Sequence, residues 1–317
     1  MKKLISLLAV LTLVLGVCAC ASAEEKVYQV GILQFVQHPA LDLATQGFKD
    51  ALTEKLGDKV VFIDENASGE VPNCATIASQ LVSKQVDLIM ANATPPLQAC
   101  TNATGDIPVL GTSVTDYQAA LEIELDGNGA TGMNVSGTSD LAPLDGQANM
   151  IKELFPDAKT VGLLYCSGEA NSIFQVKKVE EYLTVLGYEC KRYGFNDSND
   201  LASVAQTATE CDVVYIPTDN TAANNTEAIA NVMIPAKVPV VAGEEGICKG
   251  CGIATLTISY YDIGWKTGEM AYEILVNGAD ISSMAIAYAP QFTKKYNAEN
   301  AAELGIAVPD DYLPIED

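Results

Sequence analysis

Positive charge is scarce in this chain. Its 317 residues carry 18 lysines and arginines against 41 aspartates and glutamates, a formal charge of −23. Nucleic acid and anionic lipid headgroups are therefore disfavoured as partners. The one arginine, Arg192, lies in KRYGF, away from every loop signal. Phosphate and dicarboxylate sites usually draw on an arginine fork, so those ligands are disfavoured too. One histidine, His38, argues against a zinc site, and no serine sits in a G-x-S-x-G elbow. No catalytic residue, metal or cofactor is expected. The one tryptophan, Trp265, falls inside a helical pattern, which leaves little for the aromatic platform of a sugar site.

Long apolar runs are missing as well, except at the start. MKKLISLLAVLTLVLGVCACASAEE places two lysines before an apolar stretch from Leu4 to Val17, then small residues, then acid. That is a secretory signal, too short to cross a bilayer as a helix. Val17-Cys18-Ala19-Cys20 resembles a lipobox, giving a lipoprotein signal over 1–19 and a lipid anchor on Cys20. Ala21-Ser22-Ala23 offers an ordinary cleavage site instead. The cysteine closing the apolar run favours the lipoprotein.

Export permits disulfides. Further cysteines stand at 74, 100, 166, 190, 211, 248 and 251. Cys74 with Cys100 and Cys190 with Cys211 are plausible bridges, and Cys166 is left over. Cys248-Lys249-Gly250-Cys251 reads as a small loop staple, because glycines surround it and the strand-like GIATLTIS follows. A redox role would need the motif to open a helix.

What is present is an alternation. Apolar, β-branched runs recur at 27–35, 59–64, 86–92, 107–113, 160–166, 211–217 and 238–243. They are near-continuous, as strands buried on both faces are. Between them lie helical stripes, such as Leu41, Ala44, Phe48, Ala51 and Leu52, or Val176, Val179, Leu183 and Leu186. Gly57 and Gly187 end those two stripes as C-terminal caps. The reading is α/β, with two doubly wound parallel-sheet lobes joined by a hinge. One series runs to about Ser113 and the second begins at Thr160. GNGATGMNVSGTSDLAP reads as one crossing between lobes, and a return crossing is expected near the loop 246–252.

In open α/β sheets ligands bind beyond the carboxyl ends of the strands. The residues there are Gln34, His38 and Pro39, then Asn92 to Pro96, then Thr112 to Asp116. The second lobe adds Ser167 to Ser172, Pro217 to Thr221, and Gly243 to Gly246. Hydroxyls, amides and helix N-termini suit a carboxylate without an arginine. Asp219, or one of Glu244 and Glu245, could pair with an ammonium. Together these suit a zwitterion. Any one such loop is more often a plain helix cap; their coincidence at one sheet edge in both lobes supports binding. Phe35, Pro95, Tyr165 and Tyr260 are candidate apolar walls, or simply core residues.

LQFVQHPALDLATQGF, GTSVTDY, SGEANS, PTDNT and ATLTISYYDIG resemble the ABC-transporter solute-binding proteins of the tryptophan/tyrosine type. The resemblance spans 27–290 and implies a type I periplasmic-binding-protein fold. It also implies an extracytoplasmic receptor that hands a small ligand, often an aromatic amino acid, to an ABC permease. By the family pattern the cleft is lined by the HPAL loop with His38 and Pro39; by Ala93, Thr94 and Pro95; and by Thr115 and Asp116. From the second lobe come Ser167, Gly168, Glu169, Asn171, Ser172, Thr218, Asp219 and Asn220; Gln34 and Glu245 are added from the strand-end reading alone. The fold's threading implies one lobe of 25–137 plus 254–289 and another of 138–253 plus 290–317. The CKGC insertion departs from the core pattern, and the tail from Pro290 matches poorly.

His38 then reads as a structural residue before Pro39 or as a cleft contact, with catalysis disfavoured. Two other functions stay open: a sugar or nucleoside binder on the same fold, and an exported thiol oxidoreductase using Cys248 and Cys251.

Overall fold

The computed structural model describes residues 26–316. The signal segment, its two cleavage readings and Cys20 lie outside the described residues. The chain opens with β1 (Tyr28–Gln34), α1 (Pro39–Leu56), β2 (Val60–Asn66), α2 (Val71–Ser83) and β3 (Leu88–Asn92). It continues with α3 (Thr94–Ala103), β4 (Val109–Val114), α4 (Tyr117–Leu121) and β5 (Val135–Ser139). A second series follows: α5 (Leu144–Leu154), β6 (Thr160–Cys166), α6 (Ala170–Val185), β7 (Glu189–Phe195), α7 (Ser198–Ala208) and β8 (Val213–Ile216). Then come α8 (Asn220–Ala223), α9 (Thr226–Ala236), β9 (Val240–Ala242), α10 (Glu245–Cys251) and β10 (Ala254–Thr257). The chain ends with α11 (Tyr260–Leu275), β11 (Ala287–Tyr288), β12 (Thr293–Tyr296), α12 (Ala298–Leu304) and β13 (Leu313–Pro314).

These make two sheets. The first runs β11-β5-β4-β3-β1-β2, and the second β13-β12-β10-β9-β8-β6-β7. Pairing is parallel except where β12 runs against β10. β3 and β4 are buried along their whole length, because helices cover both faces of the sheet. Phe48, fully buried on α1, contributes on the order of 1.5–3 kcal/mol to this packing. α1 ends at Gly57 with φ 55°, and Gly187 beyond α6 has φ 94°, a region that costs glycine little.

Three segments cross between the lobes, and two differ from expectation. β5 stays in the first sheet through Ser139, so the first crossing is 140–143. β10 pairs with β9 in the second sheet, so the return crossing is at 258–259 and residues 254–257 stay with the second lobe. The third crossing precedes β12, which joins β13 and β10 in the second sheet.

The loop staple is not there. Residues 245–251 are helix α10, nucleated by Glu244, whose carboxylate accepts from the N–H groups of Gly246 and Ile247. Cys248 and Cys251 fall three apart on its last turn, both buried and both free. The motif closes a helix rather than opening one, so the dipole opposes a thiolate. Burial pushes the Cys248 thiol well above its ordinary range. The expected pairs at 74/100 and 190/211 are also free thiols. Burial pushes Cys74 and Cys100 up to about 12, and it holds the Cys251 thiol, like that of Cys248, well above its ordinary range, which opposes the oxidoreductase reading.

Candidate functional site

The strand-end loops of the two lobes face each other across a seam. His38 occupies the N-cap position of α1 with an extended backbone, just before Pro39. Its ring is buried, and its Nε2 lies 3.4 Å from Asn220 Oδ1 in the opposite lobe. Burial lowers its pKa, so the imidazole is neutral, and Nδ1 is left without a partner. Gln34 turns away from the seam. Its amide bonds Val36 O and Asp42, and its oxygen accepts from Thr45, which fixes the start of α1.

Glu169 is buried and accepts from Asn171 Nδ2, from both nitrogens of Asn220, and from the N–H and hydroxyl of Thr221. Asp219 accepts from Cys166 N–H at 2.6 Å, Ser172 Oγ at 2.7 Å and Ala222 N–H at 2.8 Å, which caps α8. Both its oxygens therefore have partners within the second lobe. Thr218 bonds the side chain of Gln175 on α6 through its N–H and its carbonyl. The Gln175 amide also reaches Thr115 Oγ1 across the seam, at 3.4 Å.

From Thr115 the network continues to a residue absent from the expectations. Asp140, in the first crossing, is buried, lies near the Thr115 hydroxyl, and accepts from the Tyr260 hydroxyl at 3.0 Å. Thr218 stands near that same tyrosine hydroxyl. Asp140 Oδ1 has no partner, and neither have Asn171 Oδ1 and Ser113 Oγ nearby in the chain's seam-facing loops. Buried polar groups are normally satisfied, so open atoms at one seam call for an occupant.

Four buried carboxylates mark this region: Asp140, Glu169, Asp219 and Glu244. The bonds reaching them come from amides, hydroxyls and backbone N–H groups. Burial without a cation pushes Asp140 up to about 6 and Glu244 to about 7. Asp219 rises to about 7, through burial and then the neighbouring Glu169.

Two cavities flank the seam. The larger, about 600 Å³, lies between the start of α1 (Pro39, Leu43), the start of α10 (Glu244, Glu245) and the start of α11 (Tyr260, Tyr261). The smaller, about 310 Å³, is polar and touches Phe35, Gly69, Gly168, Glu169, Asn196 and Thr221.

Other expected residues are placed as follows. Ala93 and Thr94 are buried at the β3–α3 turn, where Ala93 adopts φ 95°. Pro95 lines a groove confined to the first lobe, and Tyr165 packs into the second lobe's core. Asp116 caps α4 through Ala119 N–H. Ser167 is exposed and bonds Phe195 O and Asn196. Glu245 forms a two-bond ion pair with Lys295 of β12, at 2.7 and 2.8 Å. Asp140 escaped notice because its strand, VSGTS, carries one apolar residue; the strand-end rule would have found it.

Residues 29–315 match the family described as ABC transporter substrate binding protein. A tyrosine-binding protein of Clostridioides difficile (strain R20291) is 38% identical over 257 residues, covering 80% of this chain and 74% of that one. The crystal structure of an ABC domain in complex with L-Trp from Streptococcus pneumoniae superposes with a TM-score of 0.87 at 31% identity, covering 92% of this chain and all of that one. The ligand-free, open structure of a substrate-binding protein with adhesive properties from Clostridium difficile gives 0.69 at 35% identity, over 92% of this chain and 99% of the other.

Proposed function

The chain belongs to the ABC transporter substrate-binding family, and on that premise we propose that it is a lipid-anchored, extracytoplasmic receptor that closes its two lobes on an aromatic amino acid and delivers it to an ABC permease. Family members bind solute and perform no chemistry. The relatives that bind tyrosine and tryptophan support the ligand class. The anchor rests on the cysteine that closes the apolar signal, and the permease on the family.

One observation carries the amino-acid reading. The seam buries carboxylates whose hydrogen-bond donors are all neutral, and one oxygen, Asp140 Oδ1, is left open. An α-ammonium at that oxygen, with Glu244 and the Tyr260 hydroxyl beside it, supplies the missing cation. The α-carboxylate then finds donors at the helix starts, without an arginine. Asp219 does not serve as the ammonium partner in this reading, because both its oxygens already hold the fold together through Cys166, Ser172 and Ala222, while Asp140 has an oxygen with no partner. His38, Ser113 and Asn171 are among the other residues with open buried atoms, and in this reading His38 is a cleft contact rather than a base. The lobe arrangement fits as well: this chain superposes better on the tryptophan-bound relative than on the open one, although the open one is closer in sequence.

Titration calorimetry of the chain from residue 21 onward, against amino acids, sugars and nucleosides, tests the reading. Aromatic amino acids bind, and Asp140→Asn weakens them by roughly 2–3 kcal/mol, the range for a charge-assisted bond. Binding of a sugar or nucleoside with no response to any amino acid overturns it.

A further inference from the structure

The larger seam cavity has a mixed lining. Its lining includes the acid Glu244 and Tyr260, whose hydroxyl donates to Asp140 behind it. Pro39, Ala40 and Ile258 supply apolar surface to the same cavity. The Glu245–Lys295 ion pair also lines the cavity, with its side chains about one-third exposed. Both members belong to the second lobe, on α10 and β12, so the pair is present whether the lobes are open or shut.

The bonding capacity of this pair is not used up. Lys295 Nζ has three N–H donors and gives two of them to Glu245. Each Glu245 oxygen accepts one of those bonds and keeps a free lone pair. A hydroxyl can both donate to Glu245 and accept from Lys295. An indole N–H can only donate. A plain phenyl ring can do neither, and on entering it strips water from the pair without replacing it.

Resting on the amino-acid reading above, we propose that the larger cavity houses the ligand's side chain, with the Glu245–Lys295 pair as a selectivity element for a hydrogen-bonding tip. The order of affinity is then tyrosine first, tryptophan next and phenylalanine last. This also gives Glu245, marked in the sequence as an ammonium partner, a different task, since Lys295 already neutralises it.

Calorimetry with L-tyrosine, L-tryptophan and L-phenylalanine reads the effect directly. In the natural chain tyrosine binds about tenfold more tightly than phenylalanine, the scale for partly exposed polar bonds. In the double variant Glu245→Leu/Lys295→Met the ratio collapses to within about threefold, chiefly through gained phenylalanine affinity. Thermal unfolding of the variant checks that it is folded, and the separate Lys295→Arg variant, which keeps charge and donors, retains the preference. If amino acids bind but the ratio is the same in the natural chain and the double variant, the selectivity element is refuted while the receptor reading stands. If none of the three binds the natural chain, both fall.

Discussion

Asp140 and Asp219 look alike in the chain, each a lone acid after a strand, and differ in what reaches them. Asp219 accepts three short bonds and serves the fold. Asp140 has an oxygen to spare. Their common burial gives the ligand-free protein a distinctive pH response. Asp140, Asp219 and Glu244 all hold their protons to higher pH in the folded chain than in the unfolded one. Their contribution to stability is therefore fully present below pH about 4 and is lost as pH rises through about 6–7. His38, with its pKa lowered, works the other way, and its contribution is lost as pH falls through its ordinary value. An ammonium ligand prefers the ionised acids, so affinity rises over the interval where ligand-free stability falls. From pH 5 to pH 8 the Tm of the ligand-free protein should drop while the Kd for an aromatic amino acid tightens by about tenfold. Asp140→Asn should flatten the affinity slope; a Kd that is constant across that range in the natural chain would remove the carboxylate from the site. Most of the loops around this site were legible in the sequence because near-continuous apolar runs mark where strands stop. Asp140 was not, because β5 is buried among small polar residues and has no apolar run to announce its end.

At the scale of elements, two helices of the first lobe press together more closely than side chains allow. A methyl group added at Gly264 on α11 would stand 2.0 Å from the Ala44 carbonyl oxygen on α1, and one at Gly47 on α1 would stand 2.1 Å from Tyr261 O. The tight seating sets where both helices begin, and those beginnings, Pro39 and Tyr260, line the same cavity. Gly264→Ala must push backbone against backbone, at a cost of about 3 kcal/mol or a Tm lower by roughly 5–10 °C. Gly105→Ala, where nothing lies within 4 Å of the added carbon, is the matched control. Equal melting temperatures for the two variants would show that α1 and α11 can separate freely. Nothing in the sequence shows this spacing, since a glycine within a helical stripe reads only as a weak helix former. Helix α10 was hidden for a related reason. Its two glycines and two cysteines look like a loop, and it forms because Glu244 caps it and its thiols fill the core beneath. Local propensity lost to capping and burial.

For the whole molecule, the question is what keeps the lobes shut. Across the seam, His38 meets Asn220 and Gln175 meets Thr115, both at 3.4 Å, at the weak end of hydrogen bonding. Ion pairs such as Lys49–Asp64, Lys295–Glu245 and Lys294–Glu153 each stay within one lobe. Two weak bonds fall well short of the roughly 5.5 kcal/mol that moves a population from one state in a hundred to ninety-nine. A ligand that bonds Asp140 from one side and Asn171 from the other can supply it. The ligand-free chain in solution should therefore be open on average, and an aromatic amino acid should close it. Small-angle scattering follows the change as a fall in the radius of gyration. The chain also carries its own reporter. Trp265, its one tryptophan, packs at 6.1 Å between ring centroids against Tyr261, which lines the seam cavity. Its emission should shift on titration with L-phenylalanine, which absorbs little where tryptophan is excited, at a midpoint equal to the calorimetric Kd. Scattering profiles that superpose with and without saturating ligand would mean the cleft is preformed, with lobe contact owed to something other than the solute.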